Sequence, residues 1–571
     1  MINAHTIKFL SFFLLVVCAC SSKKTASLVI KGGTIYTVNS INEKAEAIAV
    51  VGNMITFVGS SEAATQFIGD DTEVIDLQGR VLTPGFIEGH AHLLSVGYNE
   101  LNLNLAEVKS YAEMIDSIKA AVDRSSPGEW IVGRGWHQDK WTEKPDVMVK
   151  GFPVHKMLSE ISPDNPVFLR HASGHAGFAN AKAMELSGVN SLSIEKYNNE
   201  AGEGGEVIRD ALGNPTGLFN ERAMSLIDQH IPGNSEESDV RALDLAIKAC
   251  LRNGITSFHD AGASRSELEL FQKYKAEGKL GIRVYAMITG TDPDLVYEWL
   301  NKGPQIDSTG ALTIRSIKLN CDGALGSRGA WLLEPYEDRS ESTGMATLSM
   351  DTVMKICREA LMHNFQVCSH AIGDRANREI LNRYEIAFTE NPGKSADHRF
   401  RIEHAQHIHP TDIPRFGQLG VIPAMQAIHM SSDRPWAIDR LGERRIREGA
   451  YMWQSLLKSG ATIINGTDAP VEPLNPIASF YAAVTRKTLK GEPKGGYEPE
   501  QKMTRVQALR TYTINPAYGA FEESIKGSIE PGKLADFTIF THDLMTIPED
   551  SILHAEVFMT IVGGKIGYKK P

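Results

Sequence analysis

The spacing of apolar and polar residues divides the chain into a long middle and two similar ends. Near the beginning, short segments rich in β-branched residues are separated by glycine-containing turns, the pattern of a small antiparallel β unit. Five such segments cover residues 28–30, 34–38, 47–50, 54–58 and 73–77, and two more cover residues 534–540 and 557–564. Because these groups flank the long middle, we predict one small β-sandwich built from both chain ends, residues 27–82 and 525–571.

Between these ends, buried apolar strands alternate with helical runs, which is typical of parallel βα units and of the α/β fold class. The candidate strands cover residues 84–92, 254–259, 282–288, 314–320, 365–370, 400–404, 421–426 and 461–466. Eight such strands are the number in a (β/α)8, or TIM, barrel, so we predict this barrel over residues 83–524. In that fold the active site lies at the carboxyl ends of the strands.

The interval between the first and second candidate strands is far longer than a barrel connection of a few residues plus a helix. We therefore predict an inserted subdomain at about residues 101–240. It contains the apolar segments 130–136 and 167–175. Such an insertion has the position to cover the active site and to shape its pocket.

The first twenty residues have the pattern of a signal peptide. Lys8 precedes an apolar run at residues 9–17, which is too short to span a bilayer. The run ends in Val17-Cys18-Ala19-Cys20, which resembles a bacterial lipobox. Cys20, after the small Ala19, fits as the lipidated residue better than Cys18, and the alternative is a cleaved signal without lipid. We predict an exported protein of the bacterial cell envelope, held at a membrane surface by the lipid.

Composition excludes several classes of protein. A hydrophobic fraction of 42% and a charged fraction of 23% are ordinary for a soluble globular protein. The formal net charge of -11 argues against a nucleic-acid-binding surface, which requires a concentrated basic patch. The four cysteines beyond residue 20 are irregularly spaced and lack a Cys-x-x-Cys pair, so neither a disulfide framework nor a zinc ribbon is predicted.

The candidate chemistry begins with His90 and His92 in the first barrel strand. Side chains alternate along a strand, so the two imidazoles point the same way and are able to bind one metal ion. The alternative is a strand that carries two histidines by coincidence, with one of them packed in the core. Further ligands are needed to decide between the two.

Other polar residues fall at the ends of the later strands. His370 ends the fifth, His404 ends the sixth and Asp468 follows the eighth. On the fourth strand, Lys318 shares one face with Asp322, two pleats further on. Because the carboxyl ends of barrel strands form one rim, these side chains are expected to converge with His90 and His92.

Each of these residues has a plainer interpretation when taken alone. His370 would be a core histidine, and His404 would pair with the preceding Glu403. Asp468 would cap a helix, and Lys318 would lie at the surface with its charge in water. Together these interpretations require every residue to fall at a strand end by accident, and the set favours a metal site.

At this point the chain resembles the amidohydrolase superfamily. The resemblance rests on His90-Ala91-His92, on the three strand-end ligands named above and on the C-terminal segment 526–536. Residues 318–323, 371–374 and 466–470 and the long insertion are similar to the amidohydrolase family 3 branch. The resemblance covers nearly everything after residue 27 and implies a distorted (β/α)8 barrel.

The resemblance also implies one or two divalent metal ions, usually zinc. In that scheme His90, His92 and Asp468 bind the more buried ion, and His370 and His404 bind the second. Lys318 lies where related enzymes carry a carboxylated lysine that bridges the two ions.

The chemistry of the residues is consistent with these roles. Neutral imidazoles and a carboxylate suit zinc, which lowers the pKa of a bound water to about 7 and so provides a hydroxide nucleophile. Asp468, beside that water, is able to accept its proton and pass it to the departing nitrogen. The metal polarises the substrate oxygen and stabilises the tetrahedral intermediate.

Four further residues are candidates for binding a small-molecule substrate. His175 lies in the insertion, Asp322 and Arg328 lie near the end of the fourth strand, and His429 follows the seventh. The alternative for each is a structural hydrogen bond. The glycine-rich segment 202–206 follows neither a Walker nor a dinucleotide pattern and is expected to be a loop.

The function predicted from these residues is metal-dependent hydrolysis of a non-peptide carbon–nitrogen bond, such as an amide, N-acyl, formamide or cyclic amide bond. Two alternatives stay open. A metal-dependent esterase or phosphoesterase uses almost the same rim of ligands. An exported metal- or ligand-binding lipoprotein would need no proton shuttle, although Asp468 could serve it as a ligand. A homodimer is expected from the frequency of homo-oligomers among enzymes.

Overall fold

The structure is a computed structural model that describes residues 25–105, 108–138, 141–171, 176–190, 194, 205–232 and 235–571. The predicted signal peptide, Cys20, His175 and most of the glycine-rich segment lie outside the described residues. Within the described ranges, no helix combines the length and the apolar character needed to cross a membrane.

The middle of the chain forms a parallel barrel of eight strands, as predicted. The strands are hydrogen-bonded in sequence order and are Phe86–Ala91, Ile255–Ala263, Arg283–Thr289, Leu312–Asn320, Gln366–Ala371, Arg401–His404, Ile422–Met425 and Ile464–Asn465. A short antiparallel strand, Gln305–Ile306, pairs with the fourth. Most residues of the eight strands are buried, which is the pattern of parallel strands covered on both faces.

The barrel closes between its eighth and first strands without a regular ladder. The amide of Asp468 donates to the carbonyl of His90 at 2.8 Å, and the amide of His92 donates to the carbonyl of Ala469 at 2.9 Å. Gly89 permits this approach, because a Cβ there would lie 2.4 Å from the Asn465 carbonyl oxygen. The segment after the eighth strand is therefore held directly against the two histidines of the first.

Helices cover the outside of the barrel. They are Leu93–Leu101, Glu236–Arg252, Arg265–Ala276, Pro293–Lys302, Met350–Met362, Asp374–Glu390, Ile413–Leu419, Ala427–Gly449, Trp453–Lys458, Pro476–Thr485, Arg505–Thr511 and Ile514–Gly519. Their buried positions recur three and four residues apart, as Val353, Ile356, Cys357 and Ala360 do in one of them. These apolar faces form one large core with the strands.

A separate sheet occupies the interval in which an insertion is predicted. Its six strands are Leu103–Asn104, Ile131–Trp136, Val167–His171, Ala176–Ala179, Gly205–Arg209 and Pro215–Glu221. A hairpin of Met148–Val149 with Phe152–Pro153 and the helices Tyr111–Val122, Lys156–Ile161, Ala181–Leu186 and Ser225–Asp228 accompany it. Two apolar clusters of its own pack against this sheet.

The two chain ends share one eight-stranded sheet. Its strands are Leu28–Tyr36, Lys44–Val51, Met54–Gly59, Glu73–Asp76, Val81–Pro84, Phe537–Phe540, Val557–Val562 and Lys565–Lys569. The predicted antiparallel unit is confirmed in part: five of the strand pairings are antiparallel, but Leu28–Tyr36 pairs in parallel with both Glu73–Asp76 and Val81–Pro84. The helix Ser61–Ala64 follows the third strand, and such a crossover returns the chain in the same direction.

This terminal sheet is fastened to the barrel at the start of the first and third barrel strands. The guanidinium of Arg283 donates to both carboxylate oxygens of Asp536, at 2.6 and 2.9 Å. The amide of Gly85 donates to the carbonyl of Asp536 at 2.8 Å. The contact lies at the amino ends of the strands, away from the rim that carries the predicted site.

Candidate active site

A cavity of about 810 Å³ opens at the carboxyl ends of the barrel strands. His92, Lys318, His370, His404 and Asp468 line it, which brings five of the six predicted metal ligands together. The sixth, His90, is fully buried and contacts Asp468. His429, predicted as a substrate contact, lines the same cavity.

His90, His92 and Asp468 form a first group of possible ligands. Asp468 Oδ1 lies 3.6 Å from His90 Nε2 and 3.3 Å from His92 Nε2. The ligand atoms of all three residues lie within 4.8 Å of one another. Asp468 adopts a positive φ of 57°, a conformation that costs energy for a residue other than glycine and that its hydrogen bond to His90 helps to hold.

His404, His429 and Asp468 form a second group with the same spread of ligand atoms. His429 Nε2 lies 3.8 Å from Asp468 Oδ2, on the side of the carboxylate opposite to the first group. The ring centroids of His370 and His404 are 4.4 Å apart. The structure thus places His429, as well as His370, beside His404.

Several buried nitrogens in these groups have no hydrogen-bond partner among the described residues. They are His90 Nε2, His370 Nε2 and His429 Nε2. An unpaired polar atom in the interior is costly, so such nitrogens are expected to have a ligand. Imidazole nitrogens with a carboxylate oxygen are the donor set of zinc and related transition metals. The residues present therefore fit a divalent metal ion.

The Nδ1 atoms of two histidines are occupied, which leaves their Nε2 atoms as the possible ligand atoms. His90 Nδ1 donates to Glu403, and His404 Nδ1 donates to Gln426 Oε1 at 2.8 Å. Such partners orient a metal-binding imidazole and select its tautomer. Burial lowers the pKa of His90 to about 4 and that of His404 well below its usual range, so both rings are neutral, the form that binds metal.

Asp468 is ionised in this environment. Burial favours the neutral acid, but the hydrogen bond from His92 holds the pKa of the carboxyl well below its usual range. A carboxylate with histidines on both sides is suited both to bind a cation and to accept a proton.

A buried ion pair beneath His90 was not anticipated from the sequence. Arg401 donates to Glu403 through Nε at 2.7 Å and Nη2 at 2.8 Å, and to His259 Nδ1 at 3.1 Å. Both Arg401 and Glu403 are fully buried. Arg401 and His90 offset the effect of burial and lower the pKa of Glu403 to about 2. The available signal was two opposite charges at alternate positions of a predicted barrel strand.

Glu88 is a second buried carboxyl that the sequence analysis missed. It accepts hydrogen bonds from the His90 amide at 3.1 Å, the Thr467 amide at 2.8 Å and the Thr467 hydroxyl at 2.9 Å. Burial raises the pKa of Glu88 to about 8. The residue ties the first strand to the segment that carries Asp468.

The other predicted residues have different surroundings. Lys318 is buried at the cavity wall, and burial lowers its pKa. Asp322 accepts from the amides of Trp331, Ile372 and Gly373 at 2.8–3.0 Å and lies 3.3 Å from His370 Nε2. Arg328 is not part of the cavity wall, and its guanidinium pairs with Asp338.

Two carboxyl groups at the outer part of the cavity were also missed. Asp433 accepts from Gln406 Nε2 at 3.2 Å and from the Ser432 hydroxyl at 3.3 Å, and Glu472 contacts the same hydroxyl. Burial raises the pKa of both Asp433 and Glu472. The available signal in the sequence was their spacing: Asp433 follows His429 by four residues, and Glu472 follows Asp468 by four.

The barrel, the rim of histidines and the ionised Asp468 define a metal-dependent hydrolase. Residues 73–568 match the model of the family described as "Amidohydrolase family". That match includes the whole barrel and the last five strands of the terminal sheet, but not its first three. The chain therefore belongs to the amidohydrolase family and is an enzyme of the hydrolase class.

Similar proteins extend over almost the whole chain. Protein LONG AFTER FAR-RED 3 of Arabidopsis thaliana is 33% identical over 95% of this chain and 91% of its own length. N-substituted formamide deformylase of Arthrobacter pascens is 27% identical over 95% of this chain and 98% of its own length. The crystal structure of an uncharacterized metal-dependent hydrolase from Pyrococcus horikoshii OT3 is 28% identical, with a TM-score of 0.71 and coverage of 91% and 99%.

Proposed function

We propose that this enzyme hydrolyses the amide bond of a small N-acyl compound, with a formamide or a related N-substituted amide as substrate. One observation carries the proposal: the ionised Asp468 lies 3.3–3.8 Å from nitrogens of His90, His92 and His429 on the floor of a cavity of about 810 Å³. The name of the Arthrobacter relative, an N-substituted formamide deformylase, supports the choice of bond.

We propose zinc as the metal. His90, His92 and Asp468 would hold one ion, and His404 with His370 or His429 would hold a second. Lys318, on the wall of the same cavity, would bridge the two if it is carboxylated, and its lowered pKa supports this because only the neutral amine reacts with carbon dioxide. Bound at these residues, the metal would acidify a water molecule and polarise the substrate carbonyl.

Residues of the chain then transfer one proton from water to the leaving nitrogen. Asp468 Oδ1 faces His90 and His92, whereas Oδ2 faces His429 and the cavity. As water oxygen bonds to the carbonyl carbon, Oδ2 accepts the proton of that water. The carbon–nitrogen bond then breaks, and Asp468 returns the proton to the leaving nitrogen. Glu403 and Gln426 keep the rings of His90 and His404 in place throughout.

Metal analysis beside a substrate panel tests this function. Protein without residues 1–20 should contain one or two zinc ions per chain after reconstitution. His90→Ala should lose metal, because it removes a buried ligand, and Lys318→Met should retain fewer ions than wild type if the lysine bridges two.

The panel contains N-formyl and N-acyl amines, cyclic amides, carboxylic esters and phosphate esters. Turnover of the amides supports the proposal, whereas turnover confined to esters would replace it with an esterase. A wild-type protein that binds no stoichiometric zinc would sink the mechanism and favour a ligand-binding protein.

We also propose that the chain is exported and lipid-anchored through Cys20, on the strength of the apolar segment 9–17 and the following Ala19-Cys20. In a bacterial host, the wild type should fractionate with membranes and extract into detergent, and Cys20→Ser should not, while Cys18→Ser behaves as the wild type. Equal fractionation of all three would refute the anchor.

Light scattering on the truncated protein tests the expected homodimer.

A further inference from the structure

We propose that the amine side of the substrate carries a positive charge, an ammonium group on a short apolar arm, which Asp433 and Glu472 bind beside Trp436. This inference rests on the proposed function and adds the chemical class of the leaving amine.

The first argument is the arrangement of one helix. His429, Asp433 and Trp436 are spaced by four and three residues in Ala427–Gly449 and all line the cavity. Residues at this spacing share a helix face. Asp433 therefore lies one turn, about 6 Å, further along the axis than His429. Glu472 approaches the same point, because Ser432 Oγ contacts both carboxylates.

The second argument is the direction of the leaving group. Asp468 must reach the leaving nitrogen to protonate it, and its Oδ2 faces His429. With His404 and His370 holding the second ion, His429 is buried and its Nε2 has no hydrogen-bond partner among the described residues, so a substrate group is expected at this wall. The substituent on that nitrogen then extends along the helix face toward Asp433. A separation of about 6 Å corresponds to an arm of roughly four carbon atoms.

The third argument is the charge of the cavity. Its described wall carries four carboxyl groups but only one lysine or arginine side chain, Lys318, which stands with the metal-binding residues. Asp322 and Asp468 are already engaged, the first by three amides and the second by histidines. A substrate with a free carboxylate would meet no lysine or arginine among the described lining residues at the outer end of this cavity.

Asp433 and Glu472 are the two carboxyl groups of the described cavity wall that lack a positively charged partner. The described side chains that donate to them, Gln406, Ser432 and Tyr451, are neutral, and within the described residues neither carboxylate forms an ion pair with lysine or arginine. A partly buried carboxylate gains most from a cationic hydrogen-bond donor. The arginines that flank this part of the helix are already paired, Arg434 with Glu498 and Arg440 with Asp338. Trp436 also lines the cavity, and its ring, which the Arg440 guanidinium approaches at 5.7 Å, offers an aromatic surface to the apolar arm.

Matched formamides test the charge preference. The mono-formyl derivative of diaminobutane is cationic, formyl-pentylamine is its neutral counterpart and formyl-aminobutyrate is anionic. With zinc-loaded wild type, kcat/KM for the cationic compound should exceed that for the neutral one by about tenfold or more, mainly through KM, and the anionic compound should be poorest. In the double variant Asp433→Asn/Glu472→Gln, the ratio of kcat/KM for the cationic compound to kcat/KM for the neutral compound should be near one.

Asp439→Asn is the matched control, because it removes the same charge from an exposed position of the same helix and should keep the wild-type ratio. The zinc content of each variant is measured. If the ratio of kcat/KM for the cationic compound to that for the neutral one falls in the double variant only in proportion to its loss of zinc, the result contradicts the proposal. Turnover of the formamides without preference for the cation would overturn this inference and leave the hydrolase function intact.

Binding of the amine products provides a readout that does not need turnover. Calorimetry of diaminobutane and pentylamine with the zinc-loaded enzyme should show tighter binding of the diamine, lost in Asp433→Asn/Glu472→Gln and kept in Asp439→Asn. Equal affinity for the two amines in the wild type would refute the cation site. If no amide or formamide is hydrolysed but the diamine still binds through these residues, the proposed reaction fails and the cation site stands.

Discussion

Asp468→Asn is expected to lower kcat for the best amide substrate by about a thousandfold, within the 10²–10⁴-fold range of general acid–base catalysis. Asparagine keeps an oxygen that is able to face His90 and His92, but it has no carboxylate to accept a proton. In the wild type this carboxyl is ionised, because the hydrogen bond from His92 outweighs burial and holds its pKa low. The substitution therefore removes the proton shuttle while preserving most of the shape of the site.

The measurement is kcat beside zinc content, for Asp468→Asn, His90→Ala and the surface control Asp439→Asn. Activity should fall far more than metal content in Asp468→Asn, whereas the two should fall together in His90→Ala. Asp439→Asn should match the wild type. A fully zinc-loaded Asp468→Asn enzyme with kcat within tenfold of wild type would exclude Asp468 as the proton acceptor.

Arg401→Met is expected to destabilise the metal-free protein by about 3–5 kcal/mol, because it leaves the buried charge of Glu403 without its partner. It should also weaken zinc binding by about 10–100-fold, since Glu403 would no longer be held against His90 Nδ1. The measurements are the urea midpoint of metal-free protein and a zinc titration.

The pH dependence of this deficit follows from Glu403. Its pKa in the folded protein is about 2, below the ordinary value of 4.5, so the stability gained from ionisation is complete above pH 4.5 and is lost as the pH falls toward 2. The difference between wild type and Arg401→Met should therefore be largest at neutral pH and shrink in acid.

The double variant Arg401→Met/Glu403→Leu separates stability from metal binding. It removes both charges, so much of the lost stability should return. Zinc affinity should stay low, because the double variant has no carboxylate to hold His90 Nδ1. If the single and double variants unfold at the same urea concentration, the unpaired charge of Glu403 is not the cause of the loss.

Local patterns were sufficient to predict the barrel strands and most of the rim. Apolar runs bounded by glycine and polar residues mark all eight strands, although the eighth shrinks to Ile464–Asn465. His90 and His92 stand at alternate positions of one strand, and His370, His404 and Asp468 stand at strand ends. Because all parallel strands of a barrel end on the same rim, knowing the strands is enough to expect their terminal side chains together.

The pairing of strands and side chains that are distant in the chain was not predictable from local sequence patterns. The sequence shows the strands of the terminal sheet, but the parallel direction of Glu73–Asp76 and Val81–Pro84 depends on the crossover between them and the preceding strand. Likewise, the surroundings of Arg328 depend on where Asp338 folds back. The side chain pairs with that residue instead of lining the cavity.

The sequence therefore determines which residues stand at the rim of the barrel, because strand periodicity and strand ends are properties of short segments. The tertiary structure decides which atoms of those residues are free to bind a ligand. Glu403 is two residues from Arg401 in the chain but 313 from His90, and Glu88 is 379 from Thr467. Contacts at such separations depend on the packing of the whole barrel, and they direct the imidazoles, ionise Asp468 and leave Asp433 and Glu472 without a cation.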